Sequence, residues 1–339
     1  MAGGSKLAVY AALTANSVVT VAKLAGFAVT GSGSMLSEGV HSLADVGNQA
    51  LLALGMARAN KPPDPTHPQG YGREAFVWSL ISAVGMFFLG SGVSITHGVQ
   101  ALWEPHGHGH GASEGFELNL AILVFALVVE GAALAFAVRG IASEAKNHGQ
   151  SLSEYLRTTD DPFGVAVILE DGAAVLGVLL ALAAIGLTHI TGAPYWDPLG
   201  SIAIGILLGG VAFFLIAKNR ALLIGRAIRE ADQEALEALL AEDPAIDQVV
   251  LQRAVVVGTS SYRISAEIEF DADYLAERWL GEHDIDQLHA QLDTPEKLRS
   301  FLVGYGENVI ERVGDEVDRL EARIREVLPK AESIALEPD

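Results

Sequence analysis

The 339-residue sequence contains no cysteine. That absence excludes disulfides and thiolate metal sites, so any metal ion must be held by nitrogen and oxygen. Positive charge is also scarce: 22 Lys and Arg stand against 42 Asp and Glu, a formal net charge of -20. Nucleic acid requires basic patches, and this balance argues against a nucleic-acid partner. The chain has no Gly-rich phosphate loop, nucleophile elbow or HExxH motif, which leaves an enzyme as the least favoured class. Its start lacks the layout of a signal peptide, since Met1 to Ser5 carries no charge cluster and no small-residue cleavage motif closes a short apolar core. The first apolar run is therefore expected to stay as a membrane anchor. The absence of an Arg-rich, transit-like leader favours a bacterial inner membrane over an organelle.

Half of the residues are hydrophobic despite the high net charge, and the two properties are segregated. Residues 1–223 hold the long apolar runs, whereas residues 224–339 read as a soluble sequence. A bilayer-spanning helix needs roughly 20 mainly apolar residues. That criterion predicts six spans, near Leu7–Thr30, Met35–Arg58, Ala75–Leu102, Phe116–Val138, Val165–Ile190 and Pro198–Ala217. Lys61, Arg73, Arg139, Lys146, Arg157, Lys218 and Arg220 all fall on one side of this arrangement, and the opposite loops hold no Lys or Arg. The asymmetry predicts that both termini are cytoplasmic.

Beyond Ile224 the periodicity changes. Leu236, Leu239 and Leu240 suit an amphipathic helix. Val249–Val257 is β-branched, and Tyr262 to Phe270 alternates apolar with polar residues, so the Gly258–Ser261 turn predicts a hairpin. Ile310, Val313, Val317, Leu320 and Ile324 recur at helical spacing, and Ser333–Leu336 predicts a short closing strand. The order fits a cytosolic α+β sandwich of ferredoxin-like αββα type, with regulatory or dimerising duty and a helical insertion near 273–306.

Ionisable groups at lipid depth cost about 2.5–3.5 kcal/mol each on insertion scales and default to functional hypotheses. The second span carries His41, Asp45 and Asn48 at spacings of four and three, which place them on one helix face. The fifth carries Glu170 and Asp171 within an otherwise apolar stretch. An imidazole and carboxylates converging from two helices suit zinc, manganese, cobalt or iron(II). A buried polar cluster or a metal-free proton relay is the bland alternative.

His41–Gln49 resembles the second-helix signature of the cation diffusion facilitator family. Asn16 to Lys23, His67–Glu74, Asp171 with Gly177-Val178, and Trp196–Ser201 follow in that family's order. The Leu169-Glu170-Asp171 form and Asn48-Gln49 look most like the branch containing the mitochondrial zinc transporter 9. The resemblance implies a homodimer in the bilayer that exports a divalent metal, zinc foremost, in exchange for protons, with no resident cofactor. It implies His41, Asp45 and Asp171 as metal ligands. One departure stands out: the usual His four residues before the fifth-helix Asp is replaced by Val167. Glu170 or Asn48 then become further candidates, although Glu170 lies about 100° around the helix from Asp171. Rival readings are a membrane-anchored scaffold and a proton-coupled carrier of a non-metal substrate.

Three weaker groups complete the inventory. His106, His108 and His110 are either an outer metal-collecting tract or a solvated loop. Asp64 and His67 resemble an accessory metal position, with turn formation the favoured reading. His283 and His289 are six apart, a poor spacing for one helix face.

Overall fold

The computed structural model describes residues 3–30, 33–103, 116–193 and 195–339; the side chain of His41 and the His106–His110 tract lie outside what is described. The chain divides into two compact units, Met1–Ile224 and, apart from the turn Gly258–Ser260, residues 225–339.

The first unit is helical: α1 (Gly3–Thr30), α2 (Gly33–Ala59), α3 (Glu74–Gly85), α4 (Val93–Trp103), α5 (Phe116–Asn147), α6 (Leu152–Thr158), α7 (Pro162–Thr191) and α8 (Trp196–Ile224). Among the described residues, five stretches are long and apolar enough to cross a bilayer: Ser5–Gly26, Glu74–Trp103, Leu120–Asn147, Pro162–Ala184 and Pro198–Ile224. Helix α2 is equally long but carries Glu38, His41, Asp45, Asn48, Gln49 and Arg58, which dilute its apolar character.

Local chemistry sets the helix ends. Asp161 accepts the N–H groups of Phe163 (3.0 Å) and Gly164 (3.4 Å), and Pro162 occupies the first helical position of α7, where a missing N–H costs nothing. Gly225, at φ +108°, ends α8 in a conformation that other residues resist, and the chain leaves the helical unit there. Between α3 and α4 the chain passes through a π-helical segment, Met86–Gly92. Such wide turns leave local backbone groups poorly paired and are found at functional positions.

Packing in the bundle relies on close backbone approach. Gly98 on α4 faces the Pro198 carbonyl and Ile202 of α8, and Gly205 on α8 faces Ile95 and the Ser91 carbonyl. At one end of the bundle Gly55 of α2 lies against Trp78 and Phe163. Arg58 stacks 5.4 Å over the Trp78 ring and lies 3.8 Å from Glu74, whose carboxylate accepts the Trp78 indole N–H at 2.5 Å. Leu52, Met56, Phe76, Ile141 and Phe163 are all buried at this end, sealing it with side chains from four helices.

The second unit contains α9 (Glu230–Ala241), β1 (Ile246–Gly258), β2 (Ser261–Phe270), α10 (Ala272–Gly281), α11 (Ile285–Gln291), α12 (Pro295–Val327) and β3 (Ala331–Pro338). Its sheet has the order β1-β2-β3, with β3 parallel to β2 in the register Ile264↔Ile334 and Ala266↔Leu336. Alternation along β2 buries Tyr262, Ile264, Ala266 and Ile268, and Leu236, Leu240, Leu320 and Ile324 complete the core from α9 and α12. The stretch that fits the alternating pattern poorly is helical: α10, α11 and the start of α12.

Asp243 ties α12 to the end of α9. Its fully buried carboxylate accepts from Arg319 at 2.7 and 2.9 Å and from Arg323. Burial alone would push this carboxyl up; the Arg319 hydrogen bonds, the Ala245 N–H and the two guanidinium charges outweigh it and hold it below the usual carboxylate range. Its stabilising contribution is therefore present above the unfolded carboxyl value, near pH 4, and is lost as pH falls through the lower folded value. Asp243→Asn is expected to lower the opening free energy of α9 and α12 by about 2 kcal/mol near neutral pH. Hydrogen exchange on the full chain measures this, and the gap between variant and wild type should close only below about pH 4.

Candidate metal site

Asp45 projects from α2 and Asp171 from α7, and both line a cavity of about 400 Å³ within the helical unit. Asn48 and Gln49 line it from α2, Glu170 from α7 and Asn16 from α1. Met86, Leu89 and Gly90 of the π-helical segment form an apolar wall. Asp45 and Asp171 thus face one cavity from two helices, whereas the His41 side chain lies outside what is described.

The two neighbouring acids of α7 are treated differently. Glu170 is held on both oxygens: Gln49 Nε2 donates to Oε2 at 3.2 Å, and Ser82 Oγ from α3 approaches Oε1 at 3.4 Å. Ser82 also donates to Asn48 Oδ1. Glu170, Asn48, Gln49 and Ser82 thus form a polar network joining α2, α3 and α7. Asp171 is 5% exposed, and its Oδ2 has no hydrogen-bond partner. A buried carboxylate oxygen without a donor is costly and is an acceptor waiting for a cation. Carboxyl groups from two helices, Asp45 of α2 and Glu170 and Asp171 of α7, therefore face the cavity, an arrangement that suits a cation better than an anionic solute.

Among the described residues, no three His, Asp or Glu side chains are drawn together closely enough to hold a metal ion. On α1, Lys23 is buried and donates from Nζ to Ser42 Oγ at 2.8 Å, which ties α1 to α2.

The weaker candidates stand apart from this site. The Asp64 carboxylate accepts the N–H groups of Thr66 (2.8 Å) and His67 (2.8 Å), the Thr66 hydroxyl (2.6 Å) and the Tyr71 hydroxyl (2.7 Å). Those bonds, the Thr66 hydroxyl first, hold it well below the usual carboxylate range and build the turn between α2 and α3. His283 stacks on Trp279 at 3.9 Å and its Nδ1 lies 2.8 Å from the Trp279 carbonyl, a packing role just past the end of α10.

Two residues escaped the sequence reading. Ser82 shares the buried face of α3 with Ser79, a polar pair at three-residue spacing that marks an inward stripe. Glu130 is a lone acid in the apolar stretch from Ala121 to Val138, and its position at lipid depth was the available signal.

Residues 9–224 match the cation efflux transmembrane domain. The chain belongs to the cation efflux family. That family consists of membrane transporters rather than enzymes, and membership makes this an integral membrane protein. The chain is 39% identical over 332 residues to the mitochondrial proton-coupled zinc antiporter SLC30A9 of Homo sapiens, covering 97% of this chain and 58% of that protein. It is 39% identical over 340 residues to the Xenopus laevis protein of the same name, covering 99% and 60%. Metal tolerance protein C4 of Arabidopsis thaliana is 38% identical over 339 residues, covering 98% of this chain and 73% of that protein. The chain thus spans about three fifths of the length of the animal relatives it matches. The similarity to SLC30A9 extends beyond the transmembrane match and through the sheet-bearing unit of this cation efflux protein.

Proposed function

We propose that this chain carries a divalent metal cation, zinc foremost, across a membrane in exchange for protons, moving it out of the cytoplasm. The observation that carries the reading is the pairing of Asp45 on α2 with Asp171 on α7 across one intramembrane cavity, the Asp171 Oδ2 being buried without a donor. The names of the relatives, a proton-coupled zinc antiporter and a metal tolerance protein, support the same reading. Manganese, iron(II) and cobalt remain substrates compatible with a nitrogen and oxygen site.

In this account α2 is the sixth span, both termini are cytoplasmic, and the ligands are His41, Asp45 and Asp171. Glu170 and Asn48 hold α2, α3 and α7 in register rather than donating to the ion. Ligation requires neutral imidazole and ionised carboxylates, so metal binding releases protons and protonation from the far side expels the metal. The two-sided access this demands is met by rocking the sealed end, where Gly55, Trp78 and Phe163 meet, against the rest of the bundle. The protein works as a homodimer in a bacterial inner membrane, its sheet-bearing unit in the cytosol contributing to association.

Uptake into proteoliposomes under an imposed pH gradient tests the proposal, with zinc, manganese, cobalt, iron(II) and magnesium supplied in turn. Gradient-dependent accumulation of zinc, with luminal pH moving as metal enters, is expected. Metal uptake equal to that of protein-free vesicles for every ion would reject transport and favour a membrane-anchored scaffold.

A further inference from the structure

One turn of α2 beyond Asp45 stands a group that the transport reading leaves unused. Gln49 follows Asp45 by four residues, as Asp45 follows His41, so the three positions succeed one another along a single helix face. Gln49 is 1% exposed and lines the same cavity as Asp45 and Asp171. Its amide is half satisfied. Nε2 donates to Glu170 Oε2 at 3.2 Å, whereas Oε1 is buried and, among the described residues, has no hydrogen-bond partner. The bond to Glu170 fixes which end of the amide faces where. Turning the amide over would set its oxygen against the Glu170 oxygen, two acceptors with no donor between them, so the carbonyl is held away from Glu170.

Leaving a buried amide oxygen without a donor costs about 1–3 kcal/mol. Asp171 Oδ2 on α7 is in the same position, so two unpartnered oxygens, one neutral and one from a carboxyl group, belong to residues that border one cavity from two helices. The other polar side chains of the cavity do not share this state. Asn48 Oδ1 accepts from Ser82, both oxygens of Glu170 are engaged by Gln49 and Ser82, and Asn16 is only half-buried. One turn before Asp171 the residue is Val167, fully buried and apolar. Asp45 and Asp171 alone fall short of the four ligands a zinc ion usually takes, and among the described residues no third His, Asp or Glu gathers with them. We infer that Gln49 Oε1 is a further ligand of the ion bound by Asp45 and Asp171, and that Glu170 is the positioning residue that turns it away from the α7 carboxylate. The amide supplies a neutral oxygen, which adds a bond to the ion without adding a proton to be displaced. The inference rests on the transport reading and extends the ligand set of that same site.

The test compares wild type with Gln49→Met, which keeps the length of the side chain without its amide, in the full chain reconstituted in nanodiscs. Zinc binding is measured by competition with a chromogenic chelator. Zinc-induced infrared difference spectra, on protein carrying glutamine isotope-labelled at the side-chain carbonyl, follow the amide oxygen itself. In the wild type a labelled carbonyl band is expected to move to lower frequency as zinc binds. Gln49→Met should lose that moving band and bind zinc about 10- to 100-fold more weakly. A wild-type carbonyl band that stays in place while zinc binds would overturn the inference and leave Oε1 to a bridging water, whatever Gln49→Met does to affinity or stability. Unchanged zinc affinity in Gln49→Met, or persistence of the moving band in it, would overturn the inference as well. Should Gln49→Met not yield monodisperse protein, Gln49→Leu takes its place with the same readouts. Absence of zinc binding by the wild type itself would instead overturn the transport reading, and this inference with it.

Discussion

Asp171→Asn is expected to reduce zinc uptake about 100-fold or more while leaving the protein folded and monodisperse. The substitution keeps shape and volume but replaces a carboxylate that lines the cavity and whose buried Oδ2, among the described residues, lacks a donor. An amide removes the charge a divalent cation needs in a medium of low dielectric, where each charge interaction is several-fold stronger than in water. Losing even an outer partner of a metal ligand costs about 10- to 100-fold, and a direct ligand should cost at least the upper end. Stability should rise slightly, because the uncompensated desolvation of that carboxylate disappears. The combination separates a transport role from a structural one. A structural Asp171 would lose folding along with uptake, whereas a transport ligand loses uptake alone.

Gly205→Val is the second large effect, and it acts on the fold. A Cβ at Gly205 would lie 2.5 Å from Ile95 Cγ1, 3.0 Å from the Ile95 backbone nitrogen and 3.1 Å from the Ser91 carbonyl oxygen. Backbone atoms cannot step aside as a flexible side chain can, so α4 and α8 must separate. Overpacking of this kind costs about 1–3 kcal/mol, and the branched valine belongs at the upper end. The Ser91 contact lies in the π-helical segment whose Met86, Leu89 and Gly90 wall the cavity, so the change should also disturb the site. Thermal unfolding in detergent should show a clear fall in midpoint, whereas Gly210→Ala should not, since nothing lies within 4 Å of a Cβ there.

Much of this architecture was legible in the sequence for definable reasons. Long apolar runs announce helices of bilayer length, and the strict alternation from Tyr262 to Phe270 announces a half-buried strand. His41, Asp45, Glu170 and Asp171 were visible because charge at lipid depth is rare. Other features depend on partners that no local pattern encodes. The different fates of Glu170 and Asp171 follow from Gln49 and Ser82 reaching one and not the other, a matter of tertiary contact. The π-helical turn sits in a sequence, Met86–Gly92, that periodicity reads as continuous helix, and it opposes Gly205 and Gly209 of α8. Glu130, a single acid without a second polar residue at helical spacing, carries no signal beyond its position at lipid depth.

Transport as proposed requires that one divalent ion be bound between α2 and α7 by Asp45 and Asp171. Calorimetric titration of the full chain in nanodiscs with zinc, set against the double variant Asp45→Asn with Asp171→Asn, addresses it most directly. The account predicts an intramembrane site of one zinc per chain in the wild type, with proton release scaling with buffer ionisation enthalpy, and loss of that site in the double variant. Equal zinc stoichiometry and affinity in the two proteins would contradict it and place any bound metal elsewhere.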